Sequence, residues 1–76
     1  MQFQIEMTDT FNGEANYCWL RRATINAPAD ASSQTLIRRA KKALAITGRH
    51  RTSDFGDLIR LDMVGACVCL FITPAQ

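Results

Sequence analysis

Residues 10–22 read TFNGEANYCWLRR, and the Asn12-Gly13 pair inside this stretch decides how the chain begins to fold. Both residues tolerate the positive φ of a type I′ turn, so the pair predicts a two-residue hairpin loop. Before it, residues 2–8 alternate polar and apolar side chains, which is the pattern of a half-buried strand. After it, the return strand is predicted over residues 15–25. The chain is therefore expected to open with a β-hairpin.

A basic amphipathic helix is predicted over residues 32–47. Asp30, Ser32 or Ser33 can cap its first turn, and Gly48 can end it. At about 100° per residue, one side of this helix forms an apolar stripe that can face a core. The residues of the stripe are Leu36, Ile37, Ala40, Ala43, Leu44 and Thr47.

The second half of the chain contains two more strand patterns. Residues 48–57 are polar and are interpreted as a loop, whereas residues 59–63 alternate and residues 66–73 are largely apolar. The predicted order is β-β-α-β-β, in a single domain over residues 1–76. This order predicts an α+β fold, a four-stranded antiparallel sheet with one helix packed on one face.

The last predicted strand needs to be shielded from solvent on both faces of the sheet. Its apolar residues do not alternate with polar ones, which is typical of a strand buried on both faces. One short helix covers only one face of a sheet. The other face must be covered by Trp19 or Leu20, by the loop at Phe55, or by another molecule.

The hairpin register decides which side chains face that second surface. A two-residue turn pairs Met7 with Cys18 and thereby leaves Tyr17 and Trp19 on the face opposite the helix, near Phe71. A bulge in the following arginine pair would then return the end of the strand to the core side. The alternative is that the tryptophan closes a second small core. Tyr17, Trp19 and Phe71 are the candidate partner-binding residues.

The positive charge is concentrated in one segment. The net charge is +2, yet residues 31–53 hold six Lys or Arg and no acid. Exposed helices normally interleave both signs, so the segment predicts a surface for a polyanion, either nucleic acid or an acidic protein. The candidate residues are Arg38, Arg39, Lys41, Lys42, Arg49, His50 and Arg51.

The sequence contains no pattern that indicates catalysis or a cofactor. Cys18, His50, Cys67 and Cys69 are residue types that bind zinc, but an extended C-x-C does not let the chain curl around a metal. His50 lies between two arginines and has no recognisable orienting partner for a nucleophile. We therefore expect no enzyme, no cofactor and no metal.

The expected environment follows from the cysteines and the apolar runs. Three cysteines cannot all pair within one chain, and no secretory signal is apparent. No apolar run approaches the ~20 residues of a membrane helix. These features predict free thiols, no membrane association and a cytoplasmic location.

The pattern TF-x-GEANY-x-W-x-RR, followed by GACVC, resembles a group of small proteins encoded by bacteriophages and prophages. The matching residues are Thr10-Phe11, Gly13 to Tyr17, Trp19, Arg21-Arg22 and Gly65 to Cys69. The resemblance implies a non-enzymatic protein that binds a host bacterial protein, in the form of an anti-defence, anti-CRISPR-like inhibitor. The alternative is a nucleic-acid-binding module that uses the basic helix and the following loop. A homodimer formed through the open sheet face is a further prediction.

Overall fold

In the computed structural model, which describes residues 1–75, one helix packs on a five-stranded antiparallel sheet. The sheet order is β2-β1-β5-β4-β3, which confirms the α+β class, whereas the predicted number of four strands is wrong. No helix within the described residues is long and apolar enough to cross a membrane. The elements are β1 (Gln2–Phe11), β2 (Glu14–Asn26), α1 (Ser33–Ala43), β3 (His50–Asp54), β4 (Ile59–Met63) and β5 (Val68–Pro74).

The additional strand, β3, lies where a polar loop was predicted. All five of its side chains are polar and none is fully buried, so it has no apolar alternation to reveal it. Its pairing with β4 runs from His50 opposite Met63 to Asp54 opposite Ile59. Because β3 is at the edge of the sheet, its backbone bonds to one neighbouring strand only. Its side chains stay accessible to solvent on both faces, so polar residues are tolerated there.

Helix α1 begins as expected but ends four residues before the predicted end at residue 47. Ser32 is the N-cap, and its Oγ accepts a hydrogen bond from the Thr35 N–H at 3.3 Å. At the other end, Ala45 has a φ of 55°, and the Ile46 N–H donates to the Lys41 carbonyl at 2.8 Å. These are features of a Schellman ending, which turns Ile46 back against the core.

The core lies between α1 and the sheet. Of the predicted apolar stripe, Leu36, Ile37, Ala40 and Leu44 are confirmed as buried. Ala43 and Thr47 are exposed, because Ala43 lies at the edge of the stripe and Thr47 lies beyond the end of the helix. Strand β5 is the central strand and is buried on both faces, as its apolar run predicted. The buried apolar cluster consists of Phe3, Ile5, Met7, Ile25, Ala27, Leu36, Ile37, Ala40, Leu44, Ile59, Leu61, Met63, Leu70 and Ile72.

The β1–β2 hairpin has the predicted turn but not the predicted register. Asn12 and Gly13 have φ values of 54° and 81°, as a type I′ turn requires. Beyond the turn, Asp9 alone stands opposite residues 16–19, so β2 carries three extra residues. Met7 therefore pairs with Arg21 rather than with a cysteine, and the bulge lies earlier than the predicted arginine pair.

The bulge lets the hairpin fold back over the face of the sheet opposite α1. Arg60 of β4 and Glu6 of β1 both pair with Phe71 of β5, so they lie in the same row across the sheet. Gly13 is seven residues beyond Glu6 in the chain. A straight strand would place Gly13 about 20 Å further along the sheet. Nevertheless, the Arg60 Nη2 donates to the Gly13 carbonyl at 2.6 Å. The hairpin thus covers part of this face, where Thr8 and Cys69 are fully buried.

Candidate functional site

The distal half of the β1–β2 hairpin exposes four large hydrophobic side chains within ten residues. Phe11, Tyr17, Trp19 and Leu20 are exposed by 67%, 56%, 41% and 40%, respectively. We call these four residues the hairpin surface. Isolated exposed hydrophobic residues are ordinary, but a concentration of them on one short element is typical of an interaction site.

The backbone beneath the hairpin surface is held by the carboxylate of Asp9. One oxygen, Oδ1, accepts from the Cys18 N–H at 2.8 Å, and the other, Oδ2, accepts from the Asn16 side-chain amide at 2.9 Å. The same amide contacts the Cys18 sulfur at 2.9 Å. The bulged segment is therefore hydrogen-bonded to β1, although it has lost the regular strand ladder.

Thr8 supplies the second support of the bulge from a fully buried position. Its hydroxyl accepts from the Tyr17 N–H at 3.0 Å and lies 2.9 Å from the Trp19 carbonyl, to which it can donate. Tyr17 itself has a φ of 57°, a left-handed conformation that is unfavourable for a residue with a Cβ. The surrounding hydrogen bonds hold Tyr17 in this strained conformation.

These bonds predict how the hairpin responds to pH. The Asn16 amide, followed by the Cys18 N–H, lowers the pKa of Asp9 from its ordinary value of 3.8. Because the folded-state pKa is the lower one, the ionised carboxylate stabilises the fold above about pH 4, and this stabilisation is lost as pH falls through the folded-state pKa. Thermal unfolding measured between pH 2 and pH 6 should show a loss of stability that Asp9→Asn reduces.

Part of the acid sensitivity should remain in the variant. The Ser33 hydroxyl, followed by the Gly56 N–H, lowers the pKa of Asp54 in the same direction. A pH profile of Asp9→Asn that coincides with that of the unmodified protein would contradict the role assigned to Asp9.

Phe71, the third aromatic residue of the predicted partner surface, has a different environment. Its ring is partly buried, and the Arg60 guanidinium lies over it, 5.8 Å from the ring centroid. Arg60 also forms a salt bridge with Asp62 at 3.0 Å, and this hydrogen-bonded carboxylate raises the pKa of Arg60. Phe71 therefore supports the arginine that anchors the hairpin turn.

A second candidate surface is a groove of about 630 Å³ between α1 and β3. Three helix cations, Arg38, Lys41 and Lys42, lie along it, and His50 lies on the strand side. Ile37 and Ile46 also contribute apolar surface to the groove. Its lining residues are Gln34, Ile37, Arg38, Lys41, Lys42, Ile46, His50 and Thr52. We call this the basic groove.

Lys41 ties the two walls of the basic groove together. Its ammonium donates to the Gly48 carbonyl at 2.6 Å and lies 3.2 Å from the His50 Nδ1. Because an ammonium group has only donors, this contact is a hydrogen bond in the tautomer of His50 that carries its proton on Nε2. Arg38 and Lys42 form no salt bridge, since the only one within residues 1–75 joins Arg60 and Asp62.

The other three residues of the predicted polyanion surface lie outside the basic groove. Arg39 donates to the Asn26 carbonyl of β2. Arg49 is exposed just before β3, and Arg51 pairs with Asp62, which places it on the face of the sheet opposite α1. The structure therefore brings together Arg38, Lys41, Lys42 and His50, and it separates them from the remaining three.

The cysteines do not form a metal centre in the part of the chain that the structure describes. Cys18 and Cys67 are exposed and Cys69 is buried, all three as free thiols. No group of three or more His, Cys, Asp or Glu side chains within residues 1–75 is arranged to hold a metal ion. Burial raises the pKa of Cys69, which makes its thiol less reactive.

Several important residues were missing from the sequence-based site. Phe11 and Leu20 belong to the hairpin surface. Phe11 is next to the predicted turn, where little chain is available to cover it, whereas Leu20 lies seven residues beyond Gly13 and gave no such signal. Asp9 and Thr8 gave no comparable signal. Their role depends on the bulge, which appears only when both strands are paired.

Comparison with known proteins finds no matching family model, no similar curated protein and no similar solved structure. The resemblance to phage-encoded proteins therefore stays a prediction from the sequence motif.

Proposed function

We propose that this protein is a non-enzymatic interaction protein that binds a host bacterial protein through the hairpin surface. The observation that carries the proposal is the exposure of Phe11, Tyr17, Trp19 and Leu20 on the distal half of a hairpin whose bulge is hydrogen-bonded to β1. The phage resemblance gives the more specific form of the proposal, an anti-defence inhibitor that acts by occupying a surface of a host protein.

The composition of the hairpin surface favours a protein partner. Tyrosine and tryptophan are enriched among the residues that dominate binding energy, because a single ring buries a large apolar area and retains one polar group. In the free protein Tyr17 and Trp19 are about half exposed, so that area is still available for a partner to cover.

The hydrogen bonding of the bulge supports the same proposal. Binding costs less when the contact residues are already ordered, because fewer backbone and side-chain conformations are lost. The bonds from Thr8 and Asp9 restrain the backbone of Tyr17, Cys18 and Trp19 in the free protein. Backbone strain concentrated at an exposed aromatic residue is typical of a binding loop rather than of a simple strand connection.

The nucleic-acid alternative has weaker support from the same geometry. The seven predicted basic residues are divided between the basic groove and other surfaces, so they do not form one continuous phosphate-binding track. Single-stranded nucleic acids also use aromatic stacking platforms. Of the described residues that line the groove, none is Phe, Tyr or Trp.

The test begins with a partner identified from nuclease-treated bacterial lysate and then purified. Calorimetry with that partner should show that Trp19→Ala weakens binding by about 30-fold or more, as expected for a central aromatic contact. Phe55→Ala is the matched control, because Phe55 is 63% exposed but lies outside the hairpin surface. It should leave the dissociation constant nearly unchanged.

Two results would contradict the proposal. Equal effects of Trp19→Ala and Phe55→Ala would show that the hairpin surface is not the binding site. A dimer in reducing buffer that Trp19→Ala dissociates, measured by sedimentation, would show that a second copy occupies this surface. Reductant is needed because the exposed Cys18 and Cys67 can otherwise link two chains artificially.

A further inference from the structure

The basic groove runs beside an unpaired edge of the sheet. Ser33 at the start of α1 bonds to Asp54 at the end of β3, and Lys41 near the helix end contacts His50 at the strand start. The helix and β3 are therefore antiparallel neighbours with the groove between them. The shared length is about 12 Å, the rise of eight helical residues, which suits a segment of about four extended residues.

The backbone of β3 offers hydrogen-bonding groups along this edge. Just beyond the strand, the Phe55 N–H donates to the Leu58 carbonyl at 2.8 Å, which sets the phase of the β3–β4 ladder. Because bonded and non-bonded pairs alternate in antiparallel strands, the N–H and C=O groups of Thr52 and His50 point away from β4. Within residues 1–75, no other backbone group bonds to them.

The side chains around this edge define the chemistry of a ligand. Ile37 and Ile46 provide apolar surface, while Arg38 and Lys42 provide positive charge that no carboxylate of the described chain neutralises. An extended segment presents alternate side chains to opposite sides, so one residue can contact the apolar surface while neighbouring acids reach the cations. A nucleic acid offers phosphates but no matching strand backbone.

We propose that the basic groove binds an acidic extended peptide segment of a protein partner, which adds as a strand to the free edge of β3. The segment pairs with the outward backbone groups of His50 and Thr52, and its carboxylates lie near Arg38 and Lys42. This second site is independent of the hairpin surface, so its failure would leave the proposed function intact.

The charge layout also orients the segment. At the opposite end of the groove, the Asp54 carboxylate accepts a hydrogen bond from the Ser33 hydroxyl at 2.6 Å and would repel an acid. The acidic side chains of the bound peptide therefore lie at the His50 end, and a neutral residue lies beside Asp54.

The test uses a fluorescein-labelled eight-residue peptide of alternating glutamate and valine, with a lysine-valine peptide and a short oligothymidylate as comparison ligands. The acidic peptide should bind and the basic peptide should not. The double variant Arg38→Gln/Lys42→Gln should weaken binding by about two- to thirty-fold, as expected for the loss of two exposed ion pairs. The control Arg22→Gln/Arg39→Gln removes the same charge outside the groove and should have little effect.

Strand addition is tested at Thr52. Thr52→Pro removes an outward N–H without breaking the β3–β4 ladder, and proline is tolerated on edge strands, so peptide binding should fall by about ten-fold or more. Thr52→Val keeps the N–H and should bind normally. In the unmodified protein, exchange of the Thr52 amide hydrogen should slow when the peptide binds, a measurement that decides the matter if Thr52→Pro fails to fold.

Three outcomes would overturn the proposal. The first is no detectable binding of the acidic peptide. The second is peptide binding without slower exchange of the Thr52 amide. The third is equal binding of oligothymidylate and peptide with the same salt dependence, which would identify the groove as a general polyanion surface.

Discussion

Replacing Leu44 with alanine is expected to lower the free energy of unfolding by about 2–5 kcal/mol, the usual cost of a large truncation in a packed core. Leu44 is only 3% exposed and closes α1 against the sheet. For a domain of this size the total stability is roughly 4–11 kcal/mol, so the variant loses a large share of it. Urea unfolding followed by circular dichroism measures the change.

Leu20→Ala is the matched control for this experiment. It removes the same atoms from a leucine that is 40% exposed on the hairpin surface. We expect a change within about 0.5 kcal/mol, as is usual for surface substitutions. Similar losses in both variants would mean that Leu44 contributes no more to the core than an exposed leucine does.

Replacing Thr8 with valine is expected to destabilise the protein by about 1–3 kcal/mol, although valine has nearly the same shape. The substitution removes the acceptor of the Tyr17 N–H and the donor to the Trp19 carbonyl. These two hydrogen bonds are partly buried, and a backbone group that loses its partner away from water carries the desolvation cost of that loss. Thermal unfolding should show a fall in Tm of about 4–8 °C for each kcal/mol.

The Thr8 variant also connects stability with binding. Thr8 is fully buried and contacts no solvent, yet its hydroxyl holds the backbone of Tyr17 and Trp19. Thr8→Val should therefore weaken binding of the protein partner without removing a contact residue. Thr24→Val, on the exposed part of β2, should change neither stability nor binding, and an unaltered Tm in Thr8→Val would refute the support role.

The features that local chemistry determines were predictable from the sequence. Asn12-Gly13 specifies its turn through two adjacent residues, and the apolar stripe of α1 identifies its buried face. The run of residues 68–72 revealed a strand buried on both faces. Strand β3 was missed because a polar edge strand has no periodicity, and its stability comes from pairing with β4.

The hairpin register required contacts that a local pattern does not contain. The turn alone implied regular pairing, but Asp9 and Thr8 bond to backbone groups nine to eleven residues away and stabilise a bulge. Likewise, the run of cations indicated a charged helix. The groove beside these cations is formed by β3 and by Ile46, which line it together with the helix. The sequence predicts neither the strand nor the turn at Ile46, because it predicts a helix that continues to residue 47.

The position of β5 in the sheet has a consequence for how the protein is made. The β1–β2 and β3–β4 hairpins do not pair with each other, and β5 lies between them although it follows both in the chain. Until residues 68–74 leave the ribosome, β1 and β4 each present an unpaired edge to other nascent chains. Assembly of the domain must therefore wait for its central strand, and during synthesis the two hairpins are the species most exposed to aggregation.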